Sequence, residues 1–287
     1  MIWILLSILS GLGDATMFAL IKKFKGINNL ILVWVQHSFA LPFLLVILYF
    51  NFPQKINMIV YWLAILNGML LLITTYLLVK AAQIGELSIT MPMLSLTPLF
   101  LILTSYLMIN ELPTFYGIAG ILLIVLGTYV INVKNFKKGF AKPFYSLFKN
   151  KGSFYVVIVA FIWSITANFF KIGILNSNPI FFTTIVHLII TLFILPLFFI
   201  KFGEKVNELK TNFNKLFLLG VASAFMSATG AYAMLTAIVP YFISLKRSGV
   251  IFSIFFGYFM FNEKNLKNAL IGTIIMIVGG VLIVFKY

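Results

Sequence analysis

Long apolar stretches separated by short polar or basic punctuation fill this chain from end to end. Ten of them approach the roughly 20 residues a helix needs to cross a bilayer core. They run over about 2–21, 30–50, 58–82, 87–109, 114–132, 153–174, 180–200, 213–237, 239–261 and 266–285. Pro53, Pro113 and Pro179 fall at or near predicted ends, where they suit a chain that is leaving or entering a helix. Pro42, Pro92, Pro98 and Pro196 lie inside runs and are expected to kink the second, fourth and seventh helices and free backbone carbonyls there. No basic segment precedes the first run, which is therefore expected to be a spanning helix rather than a cleaved signal.

The pattern also repeats. Asn110-Glu111 recurs as Asn262-Glu263, Gly120 as Gly272 and Gly127 as Gly279, all at an offset of 152 in a chain of 287 residues. The longest and most basic loop, 133–152, separates five runs from five. The expected organisation is a first five-helix repeat over 1–132, a basic linker over 133–152, and a second five-helix repeat over 153–287. Because five is odd, the second repeat enters the membrane upside down relative to the first. The expected fold is all-α and integral to the membrane, with ten transmembrane helices as two inverted five-helix repeats. Such a duplication points to alternating-access transport more than to catalysis.

Composition sharpens this reading. With 62% hydrophobic and 9% charged residues, the chain cannot build a water-soluble surface. Its formal charge of +15 does not indicate nucleic acid, because the basic residues sit between apolar runs, where they signal topology. Sixteen lysines fall on the side of the 133–152 loop, and Lys55, Lys171 and Lys286 on the other. This asymmetry places the termini outside, the loop in the cytoplasm and the protein in the cell membrane, multi-pass. Cysteine is absent, so disulfides and thiolate metal sites are excluded. No Gly-rich phosphate loop, GxSxG, HExxH or acid cluster is present. The expectation is neither enzyme nor ATP-driven pump, with no cofactor and no metal, and with uphill transport drawing on an ion gradient or on exchange.

The repeat ends have a physical reading of their own. Glu111 and Glu263 each precede a helix by a few residues, where a carboxylate can accept from free amides at the start of the fifth and tenth helices. Gly120 and Gly127, like Gly272 and Gly279, are seven apart and share a face that lets backbones approach closely. These are expected to be packing helices.

Residues 110–112 (Asn-Glu-Leu) with Gly117, Gly120 and Gly127, and Ser244-Leu245-Lys246-Arg247-Ser248 with Gly257-Tyr258, Asn262-Glu263-Lys264 and Gly272 to Gly280, carry a family likeness. With Pro92 and Pro98 in the fourth run, they make the whole chain resemble the EamA-like branch of the drug/metabolite transporter superfamily. That resemblance implies movement of amino acids, metabolites, drugs, nucleotide sugars or phosphorylated sugars. The phosphate-translocator branch similarly places a Lys-Arg pair in its ninth helix, which implies an anionic group on the substrate.

Charged residues inside a bilayer are costly, so each is a functional candidate. Asp14, two thirds along the first run between Gly11 and Gly13, is the candidate coupling carboxylate, with a salt bridge to a lysine such as Lys22 as the alternative. Lys246 and Arg247 lie roughly 10 Å into the ninth run at 1.5 Å per residue. They suit a phosphate or carboxylate, or else an internal ion pair. His37 and His187, offset by 150, look repeat-equivalent and are candidates for coupling and substrate contact or for packing. Two histidines without nearby carboxylates do not make a metal site. Trp34, Tyr76, Ser95, Trp163, Thr166, Asn168 and Tyr232 suit a cavity wall, with apolar bodies and polar tips. Lys80 and Lys171 are expected to snorkel, and Glu86 to cap a turn or pair with Lys80.

The expected function is a secondary transporter moving a small polar, anionic metabolite by alternating access: an amino acid, organic acid or phosphorylated compound. The alternative is a flippase for a lipid-linked head group. The partners are that small molecule and the lipid bilayer, not nucleic acid, and both monomer and homodimer are open. In this cysteine-free chain, Lys138→Cys and Glu111→Cys should label with an impermeant thiol reagent from opposite sides of the membrane. Labelling of Lys138→Cys in intact cells would overturn the orientation.

Overall fold

The computed structural model describes residues 2–24, 26–84, 91–132, 151–200, 202–261 and 266–285. The expected roles of Glu86 and of Asn262-Glu263, and residues 133–150 of the linker, lie outside them. All described elements are helical, as the unbroken apolar runs predict. They are α1 (Ile2–Lys23), α2 (Asn29–Ser38), α3 (Leu41–Phe50), α4 (Ile59–Ile84), a 3-10 helix (Met91–Leu96), α5 (Thr97–Ile109) and α6 (Phe115–Asn132). After the linker come α7 (Lys151–Leu175), α8 (Pro179–Phe199), α9 (Phe202–Thr211), α10 (Phe213–Thr236), α11 (Val239–Arg247), α12 (Val250–Phe261) and α13 (Leu266–Phe285). Seven helical stretches are long and apolar enough to cross a membrane, and three shorter apolar ones cover 93–109, 115–130 and 271–285.

Three predicted spans are interrupted. The second divides at the turn Phe39–Ala40 into α2 and α3, as Pro42 demands: without an N–H it cannot bond the Ser38 carbonyl. The fourth passes from the 3-10 helix into α5 where Pro98 occupies the first turn. The ninth breaks at Ser248–Gly249, between α11 and α12, where no proline signals it. Pro196, by contrast, sits inside an uninterrupted α8. Helix α9 was not expected; it is short, polar and built from Phe202, Val206 and Leu209 spaced among Glu and Lys.

The chain forms two compact units. The first comprises Met1–Leu72 and Phe169–Thr236. Here α1 lies along α10 so closely that a Cβ on Gly13 would sit 2.7 Å from the Met226 Cβ, and Ser10 Oγ donates to the Met226 carbonyl at 3.0 Å. Helix α8 packs on α2, α3 and α10. Ile31, Leu32 and Val35 of α2 close on Leu216 and Leu219 of α10. Glu208 of α9 accepts from the Asn28 amide at 2.7 Å, while Asn28 Oδ1 caps Leu30 at the start of α2. Lys171 does not snorkel: it is buried, and its Nζ donates to the carbonyls of Met234 at 2.6 Å and Leu235 at 3.3 Å. A cation at the end of α10 meets the unbonded carbonyls and the negative end of the helix dipole, which outweighs exposure of the ammonium.

The second unit comprises Ile73–Asn168 and Ala237–Tyr287. Its seam is α6 against α13. A Cβ on Gly120 would lie 2.6 Å from the Gly279 carbonyl, and one on Gly127 would lie 2.6 Å from the Gly272 carbonyl. The contact is reciprocal in repeat terms: Gly120 meets the counterpart of Gly127, and Gly127 meets the counterpart of Gly120. The two helices therefore run antiparallel along the seam. Glu111 reaches beyond its expected role: its Oε2 accepts from the Val239 amide at 2.7 Å and so caps α11. The Thr114 amide donates to the Tyr241 hydroxyl at 2.9 Å beside it. Asn110 takes φ 55° to end α5, and the chain turns there toward α11.

Hydroxyls inside the helices bond their own backbone. Ser7, Thr16, Thr128, Thr183, Thr184 and Ser244 each donate to a carbonyl four residues back at 2.6 to 2.9 Å. Gly120→Ala should cost about 1–3 kcal/mol, because its Cβ meets backbone that cannot give way. Gly280→Ala, whose Cβ meets only Leu245 Cδ2 at 3.5 Å, should be neutral or stabilising. Thermal unfolding of the two variants in one detergent checks this, and equal midpoints would contradict the seam.

Candidate functional site

The candidate residues fall into two groups, one in each unit. In the second unit Arg247 ends α11 at its interruption. Its guanidinium carbon lies 5.2 Å from the centre of the Trp163 ring, within cation–π range, and Nη2 approaches Thr97 Oγ1 at 3.5 Å. The Trp163 indole is itself anchored, Nε1 donating to Thr74 Oγ1 at 3.0 Å. Three helices and the start of α5 thus hold one cation: α4 fixes the indole, α7 carries it, α11 delivers the guanidinium, and Thr97 touches its edge. Ser95 is buried two residues before Thr97. Lys246 precedes Arg247 on the same half-helix and is partly exposed.

Asn168 and Tyr76 occupy different ground. Asn168 is fully buried; its Oδ1 accepts from Ser105 Oγ at 2.8 Å and its Nδ2 donates to the Ser164 carbonyl at 2.8 Å and to Thr104 Oγ1 at 3.2 Å. These bonds pin α7 to α5. Thr166 is buried and turns back to the Trp163 carbonyl at 3.2 Å. Tyr76 is 58% exposed. Lys80 places its ammonium 5.6 Å from the Tyr155 ring.

In the first unit the structure brings His37 and His187 together, with ring centroids 4.9 Å apart and planes at 70°. His187 is buried, its Nδ1 is 3.1 Å from the Thr183 carbonyl and its Nε2 is 3.3 Å from Ser227 Oγ. Asp14 is half-buried on α1, next to the Gly13–Met226 contact. Trp34 is half-buried, edge-on to Phe39 at 6.3 Å, and Tyr232 is half-buried on α10. A surface recess of about 620 Å³ lined by Lys55, Asn57, Asn176 and Ser177 contains none of the candidate residues. Among the described residues no group of three His, Asp or Glu could hold a metal ion.

Sequence reasoning missed Thr74, Thr97, Thr183, Ser227, and the pair Thr104 and Ser105. Their residue types do not separate them from the hydroxyls that merely bond their own helix. Thr97 alone left a trace, since it begins a proline-marked half-helix in the fourth span.

The family model described as EamA-like transporter family matches residues 1–133 and again residues 150–285. None of the curated proteins matches the chain. Among solved structures, 29 chains match. One crystal structure is 13% identical, covers 98% of this chain and 95% of its own, and superposes with a TM-score of 0.72. At that identity the likeness bears on the fold alone.

Asn168→Ala removes both donors and the acceptor from a buried cluster and should cost about 1–3 kcal/mol for the groups left unsatisfied. Tyr76→Ala, on an exposed surface, should leave the unfolding midpoint nearly unchanged. Thermal denaturation of both variants in detergent checks the assignment, and a stable Asn168→Ala would contradict it.

Proposed function

The chain belongs to the EamA-like transporter family, and from that premise we propose that it is a secondary transporter for a small polar, anionic metabolite, worked by alternating access. It is a multi-pass membrane transporter of the drug/metabolite type, and that family consists of transporters rather than enzymes. The proposed substrate is an amino acid, an organic acid or a phosphorylated compound. The observation that carries this reading is Arg247, a guanidinium held on Trp163 at the interruption between α11 and α12.

Interrupted helices line binding sites in transporters because irregular backbone in a membrane is tolerated only where it faces protein or a water-filled cavity. A guanidinium offers five donors in one plane, a match for carboxylate or phosphate. Its contact with the Trp163 ring holds it in place before a ligand arrives, so less side-chain freedom is lost on binding. Lys246, one residue earlier, adds a second cation to the same half-helix. Ser95, Thr97 and Trp163 supply the neighbouring wall. Asp14 is the proposed coupling carboxylate, since an acid on a spanning helix is kept there only for a purpose that offsets its cost.

The proposed architecture is ten spans in two inverted five-helix repeats, over 1–132 and 153–287. The two family matches and the reciprocal glycine contacts of α6 and α13 support it. The proposed orientation puts both termini outside the cell membrane and the 133–152 loop in the cytoplasm. Exposed Tyr49, Phe50 and Phe52 at the end of α3 and just beyond it fit an aromatic belt at the outer interface.

Arg247→Ala and Lys246→Ala each remove one charge-assisted contact. Each should weaken binding of an anionic solute by about 1.5–3 kcal/mol, roughly tenfold to a hundredfold. Equilibrium binding of a panel of radiolabelled amino acids, dicarboxylates and sugar phosphates to purified wild type and variants measures this. A neutral or cationic solute bound equally by all three proteins would remove the case for an anion.

A further inference from the structure

We infer that His37 and His187, with Ser227, form a proton-binding site that loads a single proton at His187 Nε2. The inference rests on the reading of the chain as a gradient-driven transporter, and it supplies a proton seat separate from Asp14.

The hydrogen bonds of His187 define its starting state. Nδ1 is 3.1 Å from the Thr183 carbonyl, which can only accept, so Nδ1 carries the hydrogen. Nε2 is then the bare nitrogen, and the Ser227 hydroxyl, 3.3 Å away, donates to it. Ser227 is the one group in this arrangement that can reverse. A proton arriving at Nε2 turns that nitrogen into a donor; the hydroxyl rotates and accepts, and Thr183 keeps its bond to Nδ1. The imidazolium therefore has an acceptor for each N–H within the contacts already present. The balance is one proton taken from water on one side of the membrane and one positive charge gained on the ring. Release reverses both.

His37 explains why the site takes one proton rather than two. Its ring lies 4.9 Å from that of His187, and its Nδ1 is buried with no hydrogen-bond partner among the described residues. A charged His37 would face a charged His187 at close range and would need an acceptor at Nδ1 that is not in place. The helices that carry the pair, α2 and α8, add no competing charge. Helices α2, α3 and α8 carry no Asp, Glu, Lys or Arg, and α4 carries none before residue 73. On α10 the titratable residues are Lys215, in its first turn, and Tyr232. Tyr49 of α3 and Tyr61 of α4 are exposed. At the end of α8, α9 carries Glu204, Lys205, Glu208 and Lys210. Asp14 lies on α1, which packs on α10 through Gly13 and Met226. Lys171 is bonded to the carbonyls that end α10.

Position gives the proton a mechanical consequence. His37 is in the last turn of α2, two residues before the Phe39–Ala40 turn that separates α2 from α3. Charge on the ring packed against it changes the fit of α2 on α8 at the place where the helix is interrupted.

The chain has two histidines, so a histidine-selective probe sees this site and nothing else. The test is a pH titration of the full-length protein in lipid nanodiscs, with ¹⁵N-labelled imidazole nitrogens followed by NMR. Expected is a neutral His187 with hydrogen on Nδ1, then uptake of one proton per protein at His187 Nε2 with His37 still neutral. Ser227→Ala should need about tenfold more acid to load, and Ser227→Thr should restore the wild-type curve. Two independent protonations, no protonation at all, hydrogen resting on Nε2 of neutral His187, or an unshifted Ser227→Ala curve would each overturn the inference. No solute is needed, so a loaded site in a protein that fails to transport anions would refute the transport reading and leave this one standing.

Discussion

Hydrocarbon offers a polar group no partner, and everything in this protein that is not lipid-like answers to that constraint. Backbone amides and carbonyls close within helices. Hydroxyls such as those of Ser7, Thr128 and Thr184 fold back on the preceding turn. Polar groups left over at helix ends are matched to one another: Glu111 takes the first amide of α11, Glu208 takes the amide of Asn28 before α2, and Lys171 takes the last carbonyls of α10. Each of these charges is spent on a helix terminus. Against that background Arg247 over Trp163 and the edge-to-face pair His37 and His187 stand apart, because each is packed against a ring.

The second determinant is how closely backbones approach. Lipid and protein side chains are equally apolar, so helices in a membrane gain most by touching along small residues. The α6–α13 seam uses glycine carbonyls as the contact surface, and Gly13 of α1 seats the Met226 side chain in the other unit. Between such seams the helices are interrupted at 39–40, at the 3-10 junction before Thr97, and at 248–249. Arg247 and His37 each sit within two residues of an interruption.

What was legible in the sequence follows from the same physics. Apolar run length announced the helices, and the glycine spacing announced the seam, because both are properties of a single element. Lys-Arg in the ninth run drew attention through its cost alone. The break that explains it was not legible, because Ser248-Gly249 looks like any small pair. Glu111 was expected to cap a helix, but which helix is a tertiary fact. Lys171 looked like a snorkelling lysine because its partners, two backbone carbonyls of α10, leave no mark in sequence. The pairing of His37 with His187 was not legible, and neither Thr183, whose carbonyl sets the tautomer, nor Ser227 carried a signal of its own.

Counterflow in proteoliposomes tests the central claim most directly. Vesicles containing the protein are loaded with one unlabelled anion from the amino-acid, dicarboxylate or sugar-phosphate classes and diluted into its labelled form. Transient accumulation of label above equilibrium for an anion, lost in Arg247→Ala, is the expected result. Scrambling of a fluorescent lipid-linked head group with no counterflow of any soluble anion would contradict it and indicate a flippase.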